Sequence, residues 1–370
     1  MAKKQIIVAA ISSRAYVQAA VHAGFEVIAI DAFADVDTQK YAEQVLQVSV
    51  NNGQFETDAF LKVLQKIDLK KYSGLCYGAG FEQQSNFLIE IAKLVPIIGN
   101  APHTVHSCKN PQLLAEFCNA NNMATPTIAF SRPTNTLGWL QKQIGGSGGA
   151  HIKPVLPLEI PVNHCVYYQK IQAGIPYSCL FLADEKNVQV IGFNEQWCHA
   201  SEVLPYLFGG AVSHADLSEN VKATITEFIA KATLYFGFKG MNSCDFLLHE
   251  NKVYVLEINP RLSASLQLYS AKKGDLFTAH VQACLGELKD WPTVEKQAIA
   301  MHVIYANKVA HAPAEMPLKV PADMDWPDWV CDIPQPNSDI AAGAPICTVL
   351  ANARSAKLAR KKLMQRVALL

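Results

Sequence analysis

Apolar positions follow two rhythms along this chain. In the first hundred residues, short continuous apolar runs alternate with segments of helical spacing. Residues 6–11 read as a buried strand, 15–23 as a helix closed by Gly24, and 25–30 as a second strand ending at Asp31. Residues 45–50 and 75–77 give further strands, with helices at 58–67 and 85–94 between them. This rhythm predicts a parallel sheet covered by helices. Beyond residue 165 the pattern becomes alternation, over 166–172, 178–182 and 188–193, as an antiparallel sheet requires. Two helices interrupt the strands. Asn110-Pro111 caps and starts one that runs to about Asn121, with Leu113, Leu114, Phe117 and Cys118 as its stripe. Ser218 caps the other over Val221, Ile225, Phe228, Ile229 and Ala232, and Gly237 stops it. Prolines and acids from 313 to 336 exclude regular helix. Residues 340–350 read as a turn and strand, and 353–367 as a basic helix with a solvated face.

The densest chemistry lies in residues 245–261, two strands at 246–248 and 253–258 joined by a polar turn. Alternation puts Glu257 and Asn259 on the face of Val253 and Val255. An odd-numbered loop centred on Asn251 sets position 245 opposite 257, and opposed residues share a face. Asp245, Glu257 and Asn259 then converge as a hard-oxygen set suited to Mg²⁺, with Mn²⁺ as a substitute. Arg261 adds a planar donor fork for phosphate. A solvated surface hairpin is the plainer alternative. The apolar residues around the acids count against it, because buried carboxylates without a cation are costly.

Upstream, Gly145, Gly146, Ser147, Gly148 and Gly149 sit between two short strands. Such a loop lets backbone amides approach a triphosphate, and Lys142, shortly before it, can reach its oxygens. A flexible linker is the alternative. In the N-terminal sheet, strand ends face the ligand crevice. Ser12, Ser13 and Arg14 open a helix there and could hold an anion, while Gly78 and Glu82 leave another strand end. Neither loop is a dinucleotide fingerprint: the first has no glycine, and Gln83 stands where a third glycine belongs in the second.

Composition narrows the class. The 370 residues are 50% hydrophobic and only 17% charged, below the usual level of about 25%, which implies a large buried fraction and a subunit interface, most simply a homodimer. A formal net charge of zero gives no global electrostatic case for nucleic acid or an anionic membrane. Ten cysteines without a Cys-x-x-Cys pair read as reduced core residues. Ser12-Ser13-Arg14 cuts the first apolar run too early for a signal peptide, and no later run approaches a membrane span. The expectation is a cytoplasmic protein.

Asp245, followed twelve residues later by Glu257-Ile258-Asn259-Pro260-Arg261, resembles the metal-binding signature of the ATP-grasp superfamily. Lys142 precedes the glycines in the family order, whereas the Lys153-Pro154 dipeptide follows them. Gln169, Lys170 and Ile171 resemble the segment where adenine rests against backbone groups. Lys170 stands where the family often has an acid. Many members carry Asp-Lys before the cradle, where this chain has Lys109 and then Asn110-Pro111. Within the superfamily the chain looks most like predicted ATP-dependent carboligases related to biotin carboxylase, a group that accompanies pterin-linked one-carbon metabolism.

The resemblance implies a mixed α/β and α+β chain in three parts. These are an N-terminal Rossmann-like domain over 1–105, an ATP-grasp domain over 106–290 and a small segment over 291–370. It implies a ligase that uses ATP and Mg²⁺ to join a small-molecule carboxylate to an amine through an acyl phosphate, releasing ADP and phosphate. Asp245, Glu257 and Asn259 would hold metal, and Arg261 and Lys142 would stabilise the transferred group. Carboxylation on bicarbonate, or nucleotide binding without turnover in a regulatory protein, are the alternatives. On the like-charge argument, Glu257→Gln is expected to leave metal-free stability at least unchanged.

Overall fold

The computed structural model describes residues 4–156, 165–199, 201, 203–269, 274–290, 297–312 and 327–370. The N-terminal part runs β1 (Gln5–Ala10), α1 (Arg14–His22), β2 (Glu26–Asp31), α2 (Val36–Tyr41), β3 (Gln44–Gln47), α3 (Thr57–Leu64), β4 (Tyr72–Tyr77) and α4 (Ser85–Leu94). Its parallel sheet has the order β3-β2-β1-β4. Ile6 and Val8 pack into one apolar cluster with Val17 and Ala20, while Ile7 and Ala9 pack into another with Phe60 and Ile91. Burial on both faces is why this strand reads as an unbroken apolar run. The strand expected over 45–50 divides. Gln44–Gln47 pairs with β2, and Val50–Asn51 turns into a separate hairpin with Gln54–Phe55. Helix α2 was not anticipated.

Two helices follow, α5 (Pro102–Cys108) and α6 (Pro111–Ala120). Asn110 caps α6 by accepting from Gln112 N at 2.9 Å and Leu113 N at 3.3 Å. A small antiparallel sheet comes next, of β5 (Ile128–Ala129), β6 (Trp139–Gln143), β7 (Lys153–Pro154) and β8 (Val166–Lys170), in the order β5-β8-β6-β7. The strands of the largest sheet are β9 (Ile175–Asp184), β10 (Val188–Cys198), β11 (Phe208–Ser213), β12 (Lys239–His249), β13 (Lys252–Asn259), β14 (Ala298–Tyr305), β15 (Val330–Cys331) and β16 (Pro345–Ala353). They form one sheet in the order β13-β12-β9-β10-β11-β14-β16-β15. Helix α7 (Glu219–Phe236) begins at the Ser218 cap and stops at Gly237, whose φ of 71° is left-handed. Helix α8 (Asp275–Cys284) and helix α9 (Ala356–Val367) complete the order. Most of the proline-rich segment, 313–326, lies outside the described residues. None of the described helices is long and apolar enough to cross a membrane.

The hairpin β12–β13 corrects the expected geometry in two ways. His249 pairs with Lys252, so the turn is two residues, Glu250 and Asn251, with φ of 48° and 62°. Consecutive left-handed residues mark a type I′ turn, not an odd loop centred on Asn251. That register holds to Phe246↔Val255 and then shifts to Asp245↔Glu257, leaving Leu256 as the extra residue of a β-bulge. The bulge also reverses the alternation. Val253 and Val255 join Cys244, Phe246 and Ile258 in the apolar core, so Glu257 and Asn259 face away from the valines rather than with them. The expected opposition of Asp245 and Glu257 is present, and the bulge produces it.

Candidate active site

The bulge places three side chains in one polar knot. Asn259 Nδ2 donates to Asp245 Oδ2 at 2.9 Å and to Glu257 Oε1 at 3.3 Å. Gln196, on β10, donates to Asp245 Oδ1 at 3.3 Å. Lys109, which follows α5, donates to Glu257 Oε2 at 3.1 Å and to Asn259 Oδ1 at 2.8 Å. Two carboxylates this close repel one another, and the environment divides their charge unequally. Burial, reinforced by Glu257, pushes Asp245 up to about 7. Burial works against Glu257 as well, yet Lys109, Lys142 and His151 outweigh it and hold that carboxyl well down.

Lys142 lies on β6 with its ammonium buried, donating to Gln169 Oε1 at 3.3 Å and standing 5.7 Å from the centre of the Tyr167 ring. Burial alone would lower its pKa. Tyr167, Glu257 and Asp245 reverse that and raise it, so the cation is retained. Lys153 is exposed and pairs with Gln141, one position along from Lys142. Opposed residues share a face and neighbours do not, so the two lysines point to opposite sides of the small sheet. Gln169 is buried beside Lys142, whereas Lys170 and Ile171 are exposed. The Ile171 N–H donates to Gly138 O at 2.8 Å and the Lys170 N–H to Thr127 O at 2.8 Å.

The glycine loop folds down over this knot. A Cβ on Gly149 would stand 1.9 Å from the Tyr206 carbonyl oxygen, and one on Gly145 2.6 Å from that of Glu82. Only glycine allows these approaches. The Gly148 carbonyl accepts from Phe208 N at 3.0 Å, and Gln143 Nε2 donates to Gln83 Oε1 at 2.7 Å, tying the small sheet to the N-terminal loop. Gly146 and Ser147 complete the turn, with the His151 ring 2.4 Å from where a Gly146 Cβ would stand. Burial, with Lys142 and Lys109 adding, lowers His151 to about 4. The space between the loop and Glu257 is about 30 Å³.

Arg261 and Glu82, expected in different roles, form one ion pair, Nε to Oε1 at 2.5 Å. Glu82 also accepts from Gly80 N at 2.8 Å and Phe81 N at 3.0 Å. Gly78 packs tightly, a Cβ there falling 2.7 Å from the Tyr16 ring. In the Ser12–Arg14 turn, Ser13 and Arg14 meet carboxylates of the chain itself. Ser13 gives its N–H and hydroxyl to Asp31, both at 2.6 Å, and Arg14 binds Asp332. Sequence reasoning missed Lys109 and His151 as members of the site. Lys109 standing where many family members carry Asp-Lys was the available signal for the first, and proximity to the glycines for the second.

Residues 108–265 match the family described as the ATP-grasp domain. That match covers less than half of the chain. Over its full length the architecture is the ATP-grasp fold. The structure of L-amino acid ligase from Bacillus licheniformis superposes with a TM-score of 0.71 at 13% identity, covering 100% of this chain and 98% of that one. The biotin carboxylase domain dimer of Hydrogenobacter thermophilus 2-oxoglutarate carboxylase, in complex with MgADP, ADP and bicarbonate, gives a TM-score of 0.73 at 12% identity, over 97% of this chain and 88% of that one. An uncharacterized protein of Methanocaldococcus jannaschii is 23% identical over 272 residues, 69% of this chain and 63% of its own length. The match thus spans less than two thirds of that relative.

Proposed function

We propose that the protein is an ATP- and Mg²⁺-dependent ligase that joins a carboxylate to an amine through an acyl phosphate, releasing ADP and phosphate. The observation that carries the reading is the pairing of Asp245, Glu257 and Asn259 under a glycine loop, with Lys109 and Lys142 on the same knot. The donor set fits a magnesium ion: two adjacent carboxylates and an amide oxygen, all hard ligands, one carboxyl already raised by burial and by the other's charge. Bound there, the ion would neutralise charge on the β- and γ-phosphates. Lys109 holds two of those oxygens, so metal binding requires its ammonium to withdraw toward the nucleotide.

Lys142 reaches the phosphates from the small sheet, and its retained cation would stabilise charge on the transferred group. Arg261, fixed by Glu82, would face the same group from the other side. Between the loop and Glu257 the space is about 30 Å³, so a nucleotide would need the small sheet to swing outward. Its return would exclude water from the acyl phosphate. The dimeric biotin carboxylase domain and the low charged fraction support a homodimer.

The test is nucleotide product analysis with Mg-ATP and paired panels of acids and amines. ADP that requires both an acid and an amine is the expected result. ADP that requires only bicarbonate would move the reading to carboxylation. AMP would exclude the acyl phosphate, and binding without turnover would leave a nucleotide-dependent regulator.

A further inference from the structure

A second cavity, of about 590 Å³, opens at the other end of two elements that build the candidate active site. Helix α6 lines the space under the glycine loop through Pro111, Leu114 and Ala115, and the larger cavity through Asn119, its penultimate residue. Strand β13 lines the first through Leu256 and Glu257 and the second through Lys252 and Val253. The two spaces share no lining residue. Helix α7 supplies the remaining wall, with Asn220, Thr224, Glu227 and Lys231 spaced as one helical face. The volume falls within the range of about 300–1,000 Å³ usual for small-molecule sites, but such sites are mostly apolar with a few polar groups. Here amides dominate the walls. Asn119, Asn122, Asn220 and Asn251 are exposed, and their side chains bond to no described residue. The Thr224 hydroxyl donates to Asn220 O at 2.8 Å and keeps its lone pairs. Met123, Val221, Phe228 and Val253 are buried and form an apolar floor.

We propose that this cavity binds a neutral polyol, a sugar or sugar-like ring, with the asparagine amides as its hydrogen-bond partners and the apolar floor under its C–H face. Each amide offers two donors and a carbonyl acceptor, and each hydroxyl offers one donor and two lone pairs, so the two kinds of group match in both directions. A polyol thus replaces the water on the amides bond for bond, and covering the floor supplies the net gain. Charged ligands fit less well. Lys231 is paired with Glu227 at 2.7 Å, and Lys252 lies over the Tyr254 ring, 5.2 Å from its centre. An anion or a cation would have to displace one of these contacts. Since the cavity shares no residue with the space under the glycine loop, the proposal does not rest on the ligase reading.

The walls are fixed before any ligand arrives. Helices α6 and α7 are held by Leu114, Phe117, Ile225 and Ile229 in one apolar cluster with Val253 and Val255 of β13. The chain leaving α6 is tied to the same strand, because Ala124 O accepts from Val255 N at 2.9 Å and the Thr125 hydroxyl donates to Val255 O at 2.9 Å. Asn251 stands in the two-residue hairpin turn, so its position follows the strand register. A preformed site loses little entropy on binding, which suits a ligand held by neutral hydrogen bonds alone.

Saturation-transfer NMR with maltose and myo-inositol, and with succinate and putrescine as charged controls, tests this. Both polyols should take up saturation from the wild-type protein more strongly than either control, and excess Mg-ATP should not displace them. In a double variant combining Asn119→Ala and Asn220→Ala the apparent polyol affinity should fall by about tenfold, the scale of two ordinary hydrogen bonds. Both side chains are exposed, so this variant should keep the wild-type Tm and the wild-type response to Mg-ATP. Thr224→Trp, which fills the cavity from the middle of the α7 face, should abolish the polyol signal. No saturation of either polyol, equal affinity in the double variant, displacement by Mg-ATP, or a stronger response to succinate or putrescine overturns the proposal.

Discussion

Two acidic centres lie on either side of Tyr16, and their contrast is informative. At the hairpin, Asp245 and Glu257 meet Lys109, Lys142 and Asn259, and every carboxylate has a partner. At the N-terminal loop, Asp31, Asp35, Asp37 and Asp332 meet Arg14, and Asp35 Oδ2 is left over. The same residue type thus has opposite consequences. Glu257 is held down by its lysines, while Asp35 is pushed up by burial and its neighbouring acids. A charge-balanced centre suits an anionic nucleotide arriving with its metal.

The largest test of this contrast is Glu257→Gln. ADP formation should fall by about two orders of magnitude, the scale of losing one transition-state electrostatic partner. The like-charge argument from sequence predicted at least unchanged stability, but the structure moves that argument to Asp245. Removing the Glu257 charge leaves Lys109 buried against an amide, so Tm should drop without metal. Asp245→Asn removes the carboxyl that is raised, and its metal-free Tm should hold or increase. Calorimetry of both variants decides it, and a higher Tm for Glu257→Gln would show that repulsion outweighs the lysines.

Much of this arrangement was legible in the sequence, for reasons that also explain the gaps. The unbroken run at Ile6–Ala10 could only be a strand covered on both faces, and Ser218 and Gly237 bracketed α7 correctly. Lys142 was singled out because it precedes four glycines. The convergence of Asp245 and Glu257 was expected from the wrong turn, since no local signal distinguishes Leu256 as a bulge residue from Leu256 in a regular ladder. Lys109 was set aside as displaced, because its partners lie about 150 positions away in β13. Asp35 was invisible for the same reason. Its isolation depends on Asp332, brought beside it by a strand from the far end of the chain.

Lys109→Ala should rank next. Breaking a buried ion pair leaves an uncompensated charge at a cost of about 3–5 kcal/mol. Glu257 is 30% exposed, which places the loss toward the low end. Denaturant midpoints measure it, and a loss under about 1 kcal/mol would put the pair in the surface class.

The pH profile of stability sharpens the contrast further. Asp35 has a folded pKa of about 9, above its unfolded value. Between roughly pH 4 and 9 the folded state therefore holds a proton that the unfolded state releases, and stability falls as pH rises across that window. His280, whose Nδ1 accepts from Met241 N at 2.9 Å, is lowered to about 4 by burial. The unfolded state takes up that proton below about 6.5, so this group costs stability as pH falls toward 4. Asp35→Asn should flatten the alkaline limb by at most about 1.4 kcal/mol per pH unit and leave the acid limb alone. An unchanged alkaline limb would show that Asp35 is solvated in the folded protein.

The smallest expected effect is the most discriminating for the nucleotide site. Lys153→Ala should change Mg-ATP affinity less than threefold, whereas Lys142→Ala should weaken it by tenfold or more, about 1.4 kcal/mol. The reasoning is geometric. Lys153 opposes Gln141, so it shares that residue's face and not the face of Lys142. Its side chain is solvated, and an exposed cation gives under about 1 kcal/mol to a partner. Lys142 is buried, keeps its charge under the influence of Tyr167, Glu257 and Asp245, and lies beneath the glycine loop. The two lysines thus repeat within one sheet the contrast between engaged and idle charge. Isothermal titration of both variants with Mg-ATP measures it. A larger loss at Lys153 would mean that the small sheet turns its other face to the nucleotide when it opens, and the phosphate cradle would then have to be rebuilt on β7.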